Sequence, residues 1–125
     1  MRLNPATVLV VENGDMLRPL ICEILQREGY QILAAKDAKE AIDVWERSQG
    51  RIDLVLTDVV MPGMSGKELV DHLRLKQADI KIIYMSGYES SLLSVGSKFV
   101  SGTTFLQKPF RPVELSTTVR ELLGK

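Results

Sequence analysis

The chain has 125 residues, 45% hydrophobic and 26% charged, with a formal net charge of +0. That is the size and composition of one domain, residues 1–125, with a real core. The balanced charge, without a Lys/Arg cluster, argues against nucleic acid as a partner; no apolar run is long enough to cross a membrane; and the single Cys22 cannot form an internal disulfide.

Thr7 to Val11 reads as a β-branched apolar strand that ends in the polar cluster Glu12-Asn13-Gly14-Asp15, suited to a turn and helix start. Leu17, Leu20, Ile21, Ile24 and Glu28 follow at helical spacing, and Gly29 stops the helix. Pro19 lies near its first turn, where a missing N–H is tolerated. Gln31 to Ala35 is a second strand. Asp37 sits three residues before Glu40, like a capping box, and Ala38, Ala41, Ile42 and Trp45 form the stripe of a second helix.

Leu54 to Leu56 is an apolar run without alternation, the pattern of a parallel strand buried on both faces. It runs directly into the carboxylate Asp58, and Pro62-Gly63 marks a turn soon after. Ser65-Gly66-Lys67-Glu68 is a second capping box, with Leu69, Val70 and Leu73 on one face of the helix behind it. His72 on that helix is expected to be exposed. Ile80 to Met85 is a fourth strand, closed by Ser86-Gly87. Ser90 to Lys98, with four serines and Gly96, predicts a short, weak helix. Thr103 to Leu106 is a fifth strand, followed by Gln107-Lys108-Pro109. Val113, Leu115, Val119, Leu122 and Leu123 make a last helix, ended by Gly124.

The order is β-α five times, which predicts an α/β fold: a doubly wound parallel five-stranded sheet with helices on both faces. Right-handed crossovers bring every strand's C-terminal end to one edge. Glu12-Asn13, Asp58, Ser86 and Lys108 each follow or end a different strand at that edge. Ligands bind there in open α/β sheets. Acidic oxygens suit Mg²⁺. A carboxylate is also a possible nucleophile toward an activated phosphoryl group, whose charge Lys108 and the Ser86 hydroxyl can meet.

These residues and their surroundings resemble the receiver domain of bacterial two-component response regulators. The resemblance spans nearly the whole chain. It rests on Val8-Leu9-Val10-Val11-Glu12-Asn13, Leu56-Thr57-Asp58-Val59-Val60-Met61-Pro62-Gly63-Met64-Ser65-Gly66, Met85-Ser86-Gly87-Tyr88 and Phe105-Leu106-Gln107-Lys108-Pro109-Phe110. The Met85-Ser86-Gly87-Tyr88 wording is most similar to receivers attached to hybrid sensor kinases. The resemblance implies a flavodoxin-like sheet of order 2-1-3-4-5 and a cis Lys108-Pro109 bond. It implies that Asp58 accepts a phosphoryl group from a histidine kinase or histidine phosphotransfer domain. Glu12 is then expected to hold Mg²⁺ largely through water, and Asp58 and the Val60 carbonyl directly. Ser86 and Lys108 are expected to contact the phosphoryl oxygens. Ser86 and Phe105 are the expected switch, acting on a downstream protein through the face of the 90–98 helix, the fifth strand and the last helix. Such a module is a phosphoacceptor rather than an enzyme, with at most slow self-dephosphorylation.

Two positions depart from the family pattern. Asn13 stands where a second carboxylate usually ligates the metal, so Mg²⁺ is expected to bind weakly. Phe105 stands where many relatives carry Tyr. Asn13 also motivates an alternative, a pseudo-receiver that binds proteins independently of phosphorylation. An Asp-nucleophile phosphatase would want a second Asp two residues after Asp58, where the chain has Val60. A flavodoxin-type cofactor binder would want a Gly/Ser/Thr-rich phosphate cradle after Val11, which is missing. The lone cysteine fits a reducing compartment, and Met1-Arg2-Leu3-Asn4-Pro5 lacks a signal-peptide core, so the expected location is cytoplasmic.

Overall fold

Parallel pairing is the central fact of the architecture. The computed structural model describes residues 5–87 and 102–124. Strands β1 (Thr7–Val11), β2 (Gln31–Ala35), β3 (Leu54–Asp58), β4 (Lys81–Ser86) and β5 (Thr103–Gln107) form one sheet, in the order β2-β1-β3-β4-β5. Every neighbouring pair is parallel. Helices α1 (Leu17–Arg27), α2 (Ala38–Ser48), α3 (Gly66–Arg74) and α4 (Pro112–Leu123) complete the described elements. The helix predicted over Ser90 to Lys98 lies outside the described residues.

The sheet separates two apolar layers. On one face Leu9, Val11, Val55, Ile82 and Tyr84 meet Ala38, Ala41 and Trp45 of α2 and Leu69, Val70 and Leu73 of α3. On the other, Val8, Val10, Leu54, Leu56 and Ile83 meet Ile21 and Leu25 of α1 and Leu115 and Val119 of α4. Alternate strand residues feed opposite layers, which is why β3 carries no polar alternation: all five of its residues are buried. Each fully buried aliphatic side chain contributes about 1.5–3 kcal/mol.

Local chemistry sets the helix ends. The Ser65 hydroxyl accepts from Glu68 N–H and Glu68 accepts from Ser65 N–H, closing the expected capping box. The Asp37 carboxylate accepts from Glu40 N–H at 2.9 Å. Gly29 and Gly124 end α1 and α4 at positive φ.

Four details differ from the sequence reading. Leu20 faces solvent, and Ile21 and Leu25 form the buried stripe of α1. Val113 is likewise exposed near the start of α4. Strand β4 runs one residue later than expected, so Ser86 is part of it. His72 is half-buried rather than exposed.

One close approach fixes α3 against β3. A Cβ on Gly66 would collide with the Asp58 carbonyl oxygen, while Gly66 N–H donates to the Val59 carbonyl at 2.8 Å. The obstacle is backbone, which cannot swing aside. Gly66→Ala is therefore expected to destabilise the protein by about 2–3 kcal/mol, at the upper end of ordinary overpacking costs. Urea unfolding would measure it, and an unchanged midpoint would mean that the first turn of α3 can move away from Asp58.

Candidate functional site

The C-terminal ends of β1, β3 and β4, with the turn after β5, meet at one sheet edge, and the charged residues of the sequence reading meet there too. Asp58 is the last residue of β3 and Glu12 follows β1 directly. They are 3% and 2% exposed, respectively. Lys108 follows β5 and donates through one ammonium to both carboxylates, at 2.7 Å to Glu12 Oε1 and 2.7 Å to Asp58 Oδ1. Two ionised carboxylates and one ammonium leave the cluster with one excess negative charge. Buried charge is costly unless paired and hydrogen-bonded, and the backbone supplies further donors. Asn13 N–H donates to Asp58 Oδ2 at 3.1 Å, and Gly14 N–H donates to Glu12 Oε2 at 2.8 Å.

The loops that carry these groups are themselves held. Arg18, one residue into α1, donates to the Glu12 carbonyl at 2.9 Å and to Asp15 at 2.8 Å. The Lys108 N–H donates to the Ser86 carbonyl at 2.7 Å, and Val59 N–H to the Met85 carbonyl at 3.0 Å. The Lys108-Pro109 peptide bond is cis, as the resemblance implies. Arg18 was not singled out in the sequence, and Gly66 was read there only as part of the capping box and the motif that ends on it. Arg18 lies one helical turn after the Glu12 loop, but nothing local marks it as a carbonyl clamp.

A cleft of about 650 Å³ opens over this edge. Asn13, Asp58, Val60, Ser86 and Lys108 line it, with Phe110 on its apolar side. Five of the six expected metal or phosphoryl-contact residues thus share one opening. The sixth, Glu12, sits beneath it, its carboxylate engaged by Lys108 and Gly14. Ser86 is buried and closes β4. Phe105 points away from the cleft into the layer under α3, where its ring stacks on Tyr84 at 5.7 Å between centroids.

The donor set fits a hard cation in reduced form. Mg²⁺ is commonly held by one or two carboxylates, with waters completing the shell. Asp58 and the Val60 carbonyl at the cleft, the Asn13 amide beside them and Glu12 behind can supply such a shell. Among the described residues no group of three His, Cys, Asp or Glu side chains stands together as a metal site.

Burial pushes the Asp58 carboxyl from its ordinary 3.8 up to about 6; Glu12 adds to the shift and Lys108 opposes it. Burial works against the Lys108 charge, but the hydrogen bonds to Asp58 and Glu12 outweigh it and raise its pKa. Because the folded-state pKa of Asp58 lies above the ordinary value, its ionised form destabilises the fold above about pH 6. That stability returns as pH falls toward 3.8. Asp58→Asn keeps an acceptor for Lys108 and removes the excess charge. It is expected to stabilise the fold by about 1–2 kcal/mol at about pH 8, with the gain shrinking toward about pH 5. Thermal unfolding of both proteins across that range is the measurement; a destabilised variant at the higher pH would contradict the strain assigned to the ionised group.

Comparison with known proteins agrees with this geometry. A family model for the response regulator receiver domain matches residues 8–120. The chain is 40% identical over 120 residues to sensor kinase CckA of Brucella abortus (strain 2308), covering 96% of this chain and 13% of that protein. It is 31% identical to sporulation initiation phosphotransferase F of Bacillus subtilis (strain 168), covering 93% of this chain and 92% of that one. Among solved structures, the receiver domain of the hybrid histidine kinase CckA superposes with a TM-score of 0.81 at 33% identity, covering 94% of this chain and 99% of that one. The chain spans 13% of CckA and about half of the Bacillus subtilis transcriptional regulators YrkP and YvrH that it also matches.

Proposed function

Given that the chain belongs to the response regulator receiver domain family of two-component signalling, we propose that Asp58 is its phosphoacceptor, within one receiver unit spanning residues 1–125. Receiver domains act with histidine kinases or phosphotransfer proteins, and the donor for this chain is a phosphohistidine on one of these. One observation carries the reading: Asp58 stands at the strand edge, on an open cleft, with the Lys108 ammonium 2.7 Å from its carboxylate.

In the transfer an Asp58 carboxylate oxygen attacks phosphorus, the bond from phosphorus to the imidazole nitrogen breaks, and the imidazole leaves with that electron pair. Phosphoryl transfer asks the protein mainly for positioning and charge neutralisation. The Asn13 N–H and Lys108 hold the carboxylate from two sides. Lys108 is placed to follow the growing negative charge onto the phosphoryl oxygens, with the Ser86 hydroxyl as a second donor. Mg²⁺, held by Asp58, the Val60 carbonyl, Asn13 and, through water, Glu12, would neutralise further phosphoryl charge when bound.

Phosphorylation then biases Ser86 and Phe105. Drawing the Ser86 hydroxyl toward the phosphoryl group frees space on the face that Tyr84 and Phe105 share, and the aromatic ring can turn into it. The output face is the 90–98 segment, β5 and α4, and a downstream protein is its reader. The chain's place of action is taken to be the cytoplasm. Among the described residues no helix is long and apolar enough to cross a membrane.

Asn13 favours one competing reading, a pseudo-receiver that no longer uses phosphate. Treatment with acetyl phosphate and Mg²⁺ separates the two. The expected result is one phosphoryl adduct by intact mass, absent from Asp58→Asn; an unmodified wild-type chain would favour the pseudo-receiver. Asn13→Asp restores a formal charge toward a partly desolvated cation, where Coulomb attraction exceeds that in bulk water. It is expected to tighten Mg²⁺ by roughly tenfold, about 1.4 kcal/mol, in a calorimetric or NMR titration. Equal affinity for both proteins would remove Asn13 from the metal site.

A further inference from the structure

The chain contains two asparagines. Asn4 precedes Pro5, whose nitrogen has no hydrogen to lose. Asn13 precedes Gly14, the residue that least obstructs attack by its own backbone nitrogen on a preceding side-chain amide. Ring closure by that attack is the ordinary route by which asparagine loses its amide, so this chain offers it one position.

The fold leaves that position open and sets a carboxylate against its attacking nitrogen. Asn13 is exposed and lines the open cleft. The pair precedes α1, whose first backbone bond runs from Arg18 N–H to the Gly14 carbonyl at 3.0 Å, so helical hydrogen bonding does not engage the Gly14 nitrogen. The Gly14 N–H instead donates to Glu12 Oε2 at 2.8 Å, a buried carboxylate oriented by Lys108. A Cβ at residue 14 would sit 3.0 Å from that same oxygen. A hydrogen-bonded base on the attacking nitrogen is what such a cyclisation lacks in an unfolded chain.

We propose that the Asn13-Gly14 loop is a self-modification site at which the folded protein converts Asn13 to a carboxylate. The Gly14 nitrogen passes its proton to Glu12 and bonds to Asn13 Cγ. The bond from Cγ to the amide nitrogen breaks, and ammonia leaves with the proton relayed through Glu12, giving a succinimide. Water then opens the ring. Cleavage at the carbonyl derived from the side chain gives aspartate, and cleavage at the main-chain carbonyl gives isoaspartate. The balance is amide plus water to carboxylate plus ammonium, with no oxidant or reductant. The aspartate product has a carboxylate at 13 beside Asp58, so the protein supplies the group its sequence omits. This consequence for Mg²⁺ rests on the reading of Asn13 as a site residue; the modification does not.

The test holds folded protein in warm, mildly alkaline buffer without metal, beside the same chain unfolded in urea. Intact mass follows the amide-to-acid exchange, and peptide mapping separates aspartate from isoaspartate. The expected result is conversion confined to position 13, at least as fast in the folded protein as in urea. Glu12→Gln should slow it by about tenfold, less than a positioned base contributes in enzyme sites. Should that variant not fold, Gly14→Ala serves in its place, read as the ratio of its folded rate to its rate in urea, which should fall below that of the unaltered chain. A folded protein that keeps its amide while the unfolded chain loses it would overturn the proposal, as would conversion indifferent to both variants. Mg²⁺ titration of the separated aspartate form is scored apart: affinity equal to the amide form would sink the metal reading and leave the modification standing.

Discussion

The ammonium of Lys108 is the interaction on which the site depends. It meets Glu12 and Asp58 at the same distance, from a loop that follows the edge strand β5. Without it two carboxylates, each almost wholly buried, would face one another with, among the described residues, the Asn13 and Gly14 N–H groups to answer their charge. Removing one partner of a buried ion pair typically costs 3–5 kcal/mol, roughly a fair share of a small domain's stability. The same contact ties β1, β3 and β5 together across the strand edge, so what neutralises the charge also fixes the geometry of the cleft.

Around this contact the fold places rigid supports where chemistry needs precision. The approach of Gly66 to the Asp58 carbonyl sets how closely α3 meets β3, and the Arg18 clamp on the Glu12 carbonyl sets the β1 loop. At the opposite end of the sheet, Arg74 donates to Thr103 at 2.6 Å and ties α3 to the start of β5. Phe105 lies between that tie and the site, stacked on Tyr84. The Tyr84 phenol is buried, and burial pushes its pKa up to about 12, so the stack stays neutral at any physiological pH. A neutral, apolar stack is free of the desolvation cost that a charged partner would carry.

Much of this was legible in the residues, and the reason is periodicity. The uninterrupted apolar character of β3 reported burial on both faces, and Ser65 with Glu68 reported the start of α3 by its capping chemistry. Asp58, Glu12, Ser86 and Lys108 could be brought together because right-handed crossovers leave only one edge for strand ends. Contacts made across sequence distance were not legible. Nothing near Gly66 declares that a carbonyl oxygen will press against its Cα, and nothing near Lys108 declares that it bonds two carboxylates rather than one. The α1 stripe was misread at Leu20 because Leu17, Leu20, Ile21, Ile24 and Leu25 offer more apolar positions than one face can bury. Packing against α4 and the sheet selects Ile21 and Leu25. Val113 was misread similarly, as an apolar residue at the exposed first turn of α4.

The position of Trp45 carries a practical consequence. Helix α2 begins just past the end of β2 and runs back along the sheet, so Trp45, seven residues beyond Ala38, lies about 10 Å down the helix axis from the site's edge. Its indole is 4% exposed, in the layer with Val55, Leu73 and Ile80, and it is the chain's sole tryptophan. Intrinsic emission from this protein is therefore a reporter of whether that layer, which also holds Val11, Val59, Tyr84 and Phe105, is assembled. Optical unfolding curves of site variants can be followed with this one probe, each read against its own folded baseline.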